Sequence, residues 1–351
     1  MVALNIFRND AFSTMEMTSA FERIPFLPSQ LESMNIFSDN PIRTTALAVE
    51  ERDGQLGIIQ TTERGAPIAD ERQTEKRKMR YFETPRITQG VTIQASELQN
   101  IRAFQAGDNQ VTELMQVQEE VARRVAGPTG ILNNIRYTWE NMRLAAVQGL
   151  LIDKDSSVLY NWFDEFQITV PDIVYFDLAS QTANSLRPII NTLTRSITRA
   201  SKGAMTPQSR IVALCGDGFW DKFTNHVDVI RTFLNWQDAA QLRASQGGAF
   251  GTFNFADIEW INYRGSDDNA TIKIADEEVR FFPMNAPGVF ERALSPGESL
   301  DWVNQPGKEY YLIPIFDRDR NFWWRVEAYS YPLFICKRPE VLRKGSSAAH
   351  A

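Results

Sequence analysis

Residues 63–82 of the chain read ERGAPIADERQTEKRKMRYF, a long charged segment that cannot build a core of its own. Acidic and basic side chains are mixed along it, and large apolar residues gather only near its end, at Met79, Tyr81 and Phe82. Patterns typical of strands flank the segment on both sides. A connection of this length without a core is either a functional loop or a disordered one.

Three interpretations of this segment are open from its residues alone. The basic cluster at 76–80 suggests nucleic-acid binding, but nearby acids repel phosphate and the whole chain carries a net charge of -7. Disorder is the second interpretation, because mixed charge without apolar residues does not fold alone. The third is contact with a partner protein whose charges complement the loop, and the flanking strands favour it.

Composition is that of a globular protein, with 43% hydrophobic and 23% charged residues in 351. This length is sufficient for two domains. No apolar run approaches the roughly 20 residues that span a bilayer, and the start MVALNIFRND lacks the features of a secretory signal. We therefore expect no membrane contact and a protein made and kept in a cytoplasm.

Periodicity predicts an α+β chain with at least two domains. Apolar spacings of three and four predict a long helix from Val111 to Leu150, interrupted at Gly127-Pro128. A turn at Asp53-Gly54 predicts a tight hairpin inside TALAVEERDGQLGII. Further strands are predicted at SRIVALCG and TIKIA, with one long strand in NFWWRVEAYSYPLFICKRPEVL. The small, polar tail at 346–351 is expected to be disordered.

Nothing in the sequence requires catalysis. The motifs of phosphate loops, serine hydrolases, zinc proteases and EF-hands are absent, and two cysteines with two histidines make a zinc site or a disulfide framework very unfavourable. The segment CGDGFW is interpreted as a strand-to-helix turn with Asp217 near the helix start, and DRDR at 317–320 as a solvated turn. We predict no catalytic residue, cofactor or metal site. An enzyme using either segment is the competing hypothesis.

The order of short motifs resembles the lambda-type (protein E family) major capsid proteins of tailed bacteriophages. The resembling pieces, in chain order, are AFSTMEMTSAFERIPFLPSQLESMNIF, TTALAVEERDGQLGII followed by ERGAP, YTWENMRLAAVQGLLID followed by FDEFQI, IEWINYRG, and YSYPLFICKRPEVL. Each piece is short, so their number and order carry the resemblance, which extends over about 11–343.

The resemblance implies the Hong Kong ninety-seven type coat fold. Its parts are an N-terminal arm at 1–40, an extended β-hairpin loop at 41–98, a peripheral domain with a long spine helix and sheet at 99–175, and an axial α+β domain at 176–320. The segment 321–345 closes the peripheral domain. The implied contacts of the extended loop with a neighbouring copy are at Arg64, Asp70, Glu71, Arg72, Glu75, Lys76, Arg77, Lys78 and Arg80.

The resemblance also implies a function. A major capsid protein assembles with copies of itself, as hexamers and pentamers, into an icosahedral virion shell around double-stranded DNA in the host cytoplasm. Portal, scaffold and decoration proteins are further partners of such a shell, and DNA is enclosed without sequence-specific binding. The alternative is a nanocompartment shell of the same general fold that encloses enzymes.

Overall fold

The computed structural model describes residues 29–53, 76–97, 121–127, 130–234, 251–263, 272–320 and 322–350. Within these ranges helices and strands are mixed, which confirms the α+β prediction. The labelled helices are α1 Gln30–Ser33, α2 Ile131–Val147, α3 Trp162–Glu165, α4 Leu186–Ala200, α5 Asp217–Thr224 and α6 Val227–Leu234.

Short strands connect these helices, and two 3-10 turns lie at Leu300–Trp302 and Pro339–Val341. The strands are β1 Ser38–Pro41, β2 Ala46–Asp53, β3 Lys76–Glu83, β4 Ile87–Gln94, β5 Leu150–Ile152, β6 Val158–Asn161, β7 Val174–Tyr175, β8 Arg210–Cys215, β9 Thr252–Phe255, β10 Ile258–Asn262, β11 Glu278–Met284, β12 Phe290–Leu294, β13 Tyr311–Phe316, β14 Trp323–Ser330, β15 Pro332–Cys336 and β16 Arg343–Ser346.

Helix α2 runs through the core and organises what surrounds it. Its apolar residues at spacings of three and four, among them Ile135, Trp139 and Met142, are buried. The helix packs against α1, β4, β5 and β15. A preceding helical stretch at 121–126 ends at Gly127, so the predicted interruption of the helical pattern is confirmed at that residue.

A six-stranded sheet in the order β7-β16-β11-β8-β10-β9 forms a second layer of the core. Strand β8 is buried along five of its six residues, as the apolar run RIVALC predicts for a central strand. It pairs in parallel with β10 and antiparallel with β11. Helix α5 packs aromatic rings on this sheet, and the centroids of Phe223 and Trp260 lie 4.0 Å apart.

The tail prediction was wrong for the residues that the structure describes. Strand β16 lies between β7 and β11, and the N–H of Phe176 donates to the carbonyl of Ser346 at 3.0 Å. Gly345 makes this insertion possible, because a Cβ there would lie 2.6 Å from Val279 and 2.8 Å from Phe176. Small residues at the end of a chain can therefore mark close packing as well as disorder.

Two other strand predictions also need correction. The long closing strand is two strands that bend apart at Tyr331: β14 pairs with β4 and β13, and β15 pairs with β12. In TIKIA, residues 272–275 form no strand, although Ile272 and Ile274 are buried. The alternating apolar residues correctly indicated burial there, but none of the strands that the structure describes pairs with residues 272–275.

Asp228 at the start of α6 caps the start of α4. Its carboxylate accepts hydrogen bonds from the backbone N–H of Asn184 at 2.5 Å and of Leu186 at 3.1 Å. Its own N–H donates to Nδ1 of the buried His226, whose Nε2 lies 3.1 Å from the carbonyl of Ser180. His226 therefore has a structural role.

We expect Asp228→Asn to lower the free energy of unfolding by about 1 kcal/mol at neutral pH, as lost caps do. Burial raises the pKa of Asp228, but the N–H donors of Asn184 and Leu186, with His226 nearby, outweigh burial and bring it below 3.8. The ionised cap thus stabilises the fold above pH 3.8, and this contribution is lost as the pH falls through the lowered pKa. Urea unfolding measured in steps of ~1 pH unit between pH 7 and pH 3 checks this. As the pH falls, the free energy of unfolding should decrease less in Asp228→Asn than in the wild type.

Candidate functional site: the β2–β3 hairpin

Strands β2 and β3 form a two-stranded antiparallel hairpin that includes the end of the charged segment. Its register pairs Ala46 with Glu83 and continues to Asp53 with Lys76. Strand β2 thus pairs with a strand more than twenty residues further along the chain. The predicted tight hairpin at Asp53-Gly54 stays a prediction, because Gly54 and the residues after it lie outside the described residues. The predicted contact residues at 64, 70, 71, 72 and 75 lie outside the described residues.

One face of the hairpin turns toward the body of the same chain. Along β3 this face carries Lys78, Arg80 and Phe82, opposite Glu51, Val49 and Leu47 on β2. Nζ of Lys78 donates to Oε1 of Gln167 at 3.0 Å. Arg80 pairs with Glu51 at 3.3 Å, and its guanidinium lies 5.3 Å from the ring centroid of Phe166.

Phe82 anchors this inner face in an aromatic cluster. Its ring centroid lies 5.7 Å from that of Tyr160, 5.4 Å from Trp162 and 5.8 Å from Phe166. The β5–β6 hairpin and α3 supply this cluster. The turn of the β5–β6 hairpin, at Asp153–Ser157, forms as the sequence predicts. The base of the β2–β3 hairpin is thus fixed to the body of the protein.

The hydroxyl of Tyr160 holds the end of β3 through its backbone. It accepts from the N–H of Glu83 at 3.1 Å and donates to the carbonyl of the same residue at 3.2 Å. We expect Tyr160→Phe to lower the free energy of unfolding by about 1 kcal/mol, since both backbone groups lose a partner while the aromatic packing remains. Hydrogen exchange at the amide of Glu83 should become faster, and unchanged exchange there would contradict this role.

The opposite face of the hairpin is open. Met79 and Tyr81 are 59% and 67% exposed, and the Tyr81 hydroxyl lies 3.0 Å from the sulfur of Met79. Ala48 and Glu50 lie beside them on β2, and Glu50 pairs with Arg77 at 3.9 Å. This outer face is a small apolar strip with a charge of each sign at one end, a surface suited to another protein.

The structure therefore divides the predicted contact residues that it describes. Arg77 lies on the outer face, whereas Lys78 and Arg80 already bind partners within the chain. Sequence reasoning did not include Met79 and Tyr81 among the contact residues, because it weighed charge. The alternation of strand side chains could have separated them from Phe82, which is buried.

Chemistry elsewhere in the described part of the chain is sparse. No group of three or more potential metal-ligating side chains occurs there. Cys215 and Cys336 are free and buried, and burial raises the pKa of both thiols. Asp317 closes the turn between β13 and β14 by accepting the N–H groups of Asp319, Arg320 and Phe322, so the solvated-turn interpretation of DRDR is confirmed.

Comparison with known proteins identifies the family. Residues 13–347 match the model of the family described as phage major capsid protein E. The chain belongs to this capsid protein family. A major capsid protein of Salmonella phage Felix O1 is 22% identical over 94% of this chain and 95% of its own length.

Solved structures show the fold of this family member. A candidate capsid protein from a prophage of E. coli CFT073 matches with a TM-score of 0.53 at 12% identity, covering 95% of this chain and 98% of its own. The capsid of cyanophage Pam1 matches with a TM-score of 0.50 at 10% identity, covering 90% and 89%. The chain has the Hong Kong ninety-seven type coat fold, as the sequence resemblance implied. Among the residues described, no helix has the length and apolar character to cross a membrane.

Proposed function

We propose that this chain is the head-shell protein of a tailed phage and has no catalytic activity. Copies of it assemble as hexamers and pentamers into an icosahedral shell in the host cytoplasm and remain in the virion around double-stranded DNA. The match to capsid protein E over residues 13–347 carries this proposal. A shell protein acts through repeated contacts, each formed by the same surfaces on every copy.

The outer face of the β2–β3 hairpin is the proposed contact of the extended loop with a neighbouring copy. It exposes Met79 and Tyr81 while the inner face fixes the hairpin through Phe82. A rigid base with an open apolar strip presents a preorganised surface, which lowers the entropic cost of binding. The contacts at Arg64, Asp70, Glu71, Arg72 and Glu75, which lie outside the described residues, belong to the same proposal.

The division into arm, loop, peripheral domain and axial domain belongs to this proposal, with one adjustment. Strands β12 and β13 lie within 176–320, yet they pair with β15 and β14 of the closing segment. Strand β16, in contrast, lies in the six-stranded sheet with β8 and β11. We therefore place residues 290–316 in the peripheral domain and 343–346 in the axial domain.

The protein contacts the enclosed DNA weakly and without sequence specificity. Its net charge of -7 supports this, because tight binding to the phosphate backbone needs a basic surface. Portal, scaffold and decoration proteins remain proposed partners of the assembled shell.

Sedimentation of the protein expressed without other phage proteins tests the proposed function. A shell of many 40.0 kDa subunits sediments far ahead of the free chain. Isolation of the chain from phage particles together with nuclease-protected DNA would support the virion location, whereas co-purification with an enzyme cargo would favour the nanocompartment alternative.

A further inference from the structure

A small cavity lined by aromatic side chains lies on the face of the sheet formed by β13, β14 and β4. Its walls include Trp302, Tyr311, Ile313, Tyr329 and Tyr331, and its volume is about 230 Å³. The rings pack closely, with 5.1 Å between the centroids of Trp302 and Tyr311. Trp302, Tyr311 and Tyr331 form a buried cluster separate from the main core. We call this site the aromatic cavity.

An exposed leucine lies next to the aromatic cavity. Leu300 is 90% exposed and Val303, on the same turn, is 54% exposed. The turn is held by Ser299, whose hydroxyl accepts from the N–H of Asp301, and it directs Trp302 inward while leaving Leu300 outside. Because Leu300 is this exposed, it does not fill the cavity of its own chain. A contact that removes this apolar side chain from water would be favourable.

Charges around the two features are complementary. Asp301 is exposed beside Leu300, so the leucine stands next to an anion. Two bases lie at the rim of the cavity: the Arg86 guanidinium is 5.2 Å from the ring centroid of Tyr329, and Nζ of Lys308 is 4.7 Å from that of Trp302. Arg86 pairs at 3.2 Å with Glu298, which also lines the cavity, so the base that an incoming acid can meet is the Lys308 ammonium. An apolar group with an acid beside it therefore matches an aromatic cavity with the Lys308 ammonium beside it.

We propose that Leu300 of one copy inserts into the aromatic cavity of a neighbouring copy, with Asp301 directed toward that copy's Lys308. This contact rests on the proposed function, since it needs copies that assemble, but it is separate from the hairpin surface. Because leucine and cavity are side by side on one chain, the contact brings equivalent surfaces of neighbouring copies together around a symmetry axis.

Leu300→Asp tests the energetic part of the proposal. The side chain is almost fully in water, so the isolated subunit folds as before, but a carboxylate cannot enter the cavity without a large desolvation cost. We expect the protein concentration needed for assembly to rise about tenfold or more, as for the loss of a central apolar contact. Val170→Asp is the matched control, because Val170 is 59% exposed elsewhere on the surface.

A mixed-cysteine experiment tests the geometry directly. Chains carrying Leu300→Cys are co-assembled with chains carrying Ile313→Cys and oxidised, and the native Cys215 and Cys336 are buried and do not compete. We expect a disulfide-linked pair containing one chain of each variant on a non-reducing gel. The mixture of Val170→Cys with Ile313→Cys should give no such pair.

Absence of the linked pair in particles that contain both variants overturns the proposal, and so does assembly of Leu300→Asp at the wild-type concentration. In either case wild-type particles leave the proposed function standing. If the wild-type chain forms no particles, the proposed function fails. Oxidation of the concentrated soluble mixture of the two cysteine variants then tests the Leu300 contact by itself.

Discussion

Replacing Arg143 with alanine is expected to lower the free energy of unfolding by about 3–5 kcal/mol, the range for breaking a buried ion pair by removing one partner. Arg143 is 4% exposed, and its Nη1 lies 3.0 Å from the Glu32 carboxylate and 3.4 Å from that of Glu140. Glu140 is fully buried, and its other oxygen accepts the N–H of Leu31 at 2.8 Å. Without Arg143, a carboxylate is left buried between α1 and α2.

Chemical denaturation of the isolated subunit, followed by tryptophan fluorescence, measures this loss. Burial already raises the pKa of Glu140 despite the hydrogen bond from Leu31 and the charge of Arg143. Adding Glu140→Gln to Arg143→Ala removes the unpaired charge and should recover part of the stability. Arg124→Ala is the matched control: Arg124 pairs with Glu97 at 2.5 Å near the surface, where a pair contributes about 0–1 kcal/mol. Equal losses in Arg143→Ala and Arg124→Ala would contradict the account.

The double substitution Met79→Glu with Tyr81→Glu is expected to abolish shell assembly while the subunit stays folded. Both side chains are more than half exposed on the outer face of the hairpin, so the free subunit gains only two solvated charges. In an interface the same carboxylates would be desolvated without a partner, which costs several kcal/mol for each contact. Because the contact is repeated on every copy, the cost multiplies through the shell.

Sedimentation separates shells from free subunits, and circular dichroism checks the fold of the variant. The control is Val170→Glu with Ile173→Glu, since these residues are 59% and 39% exposed and are not part of the hairpin. Shells of normal yield and size from Met79→Glu with Tyr81→Glu would show that this face is not a contact.

Local periodicity was sufficient to predict the elements whose partners are close in sequence or whose burial is continuous. Helix α2 and strand β8 follow directly from apolar spacing, and the β5–β6 hairpin follows from its turn. The pairing of β2 with β3 could not be found this way, because the Asp53-Gly54 signal is local whereas the ladder is formed by residues far apart. Strand β16 could not be predicted for the same reason, because its partners β7 and β11 are far from it in the sequence.

The sequence singled out the charged segment as a contact region, and the structure describes the end of that segment in β3. Charge alone does not reveal which side chains face the chain's own body. Lys78 and Arg80 are bound internally, and the exposed apolar pair Met79 and Tyr81 emerges only when the inner face is known. Likewise, Glu140 and Arg143 lie three residues apart on an apolar helix, but their burial depends on α1, from a distant part of the sequence.

Electron cryomicroscopy of particles purified from cells expressing only this chain tests the central claim most directly. The account predicts closed icosahedral shells built of hexamers and pentamers, with Met79 and Tyr81 of each copy covered by a neighbouring copy. Closed shells that leave this face in solvent would contradict the proposed contact. A protein that remains dispersed as single 40.0 kDa chains at high concentration, without other phage proteins to assist it, would contradict self-assembly itself.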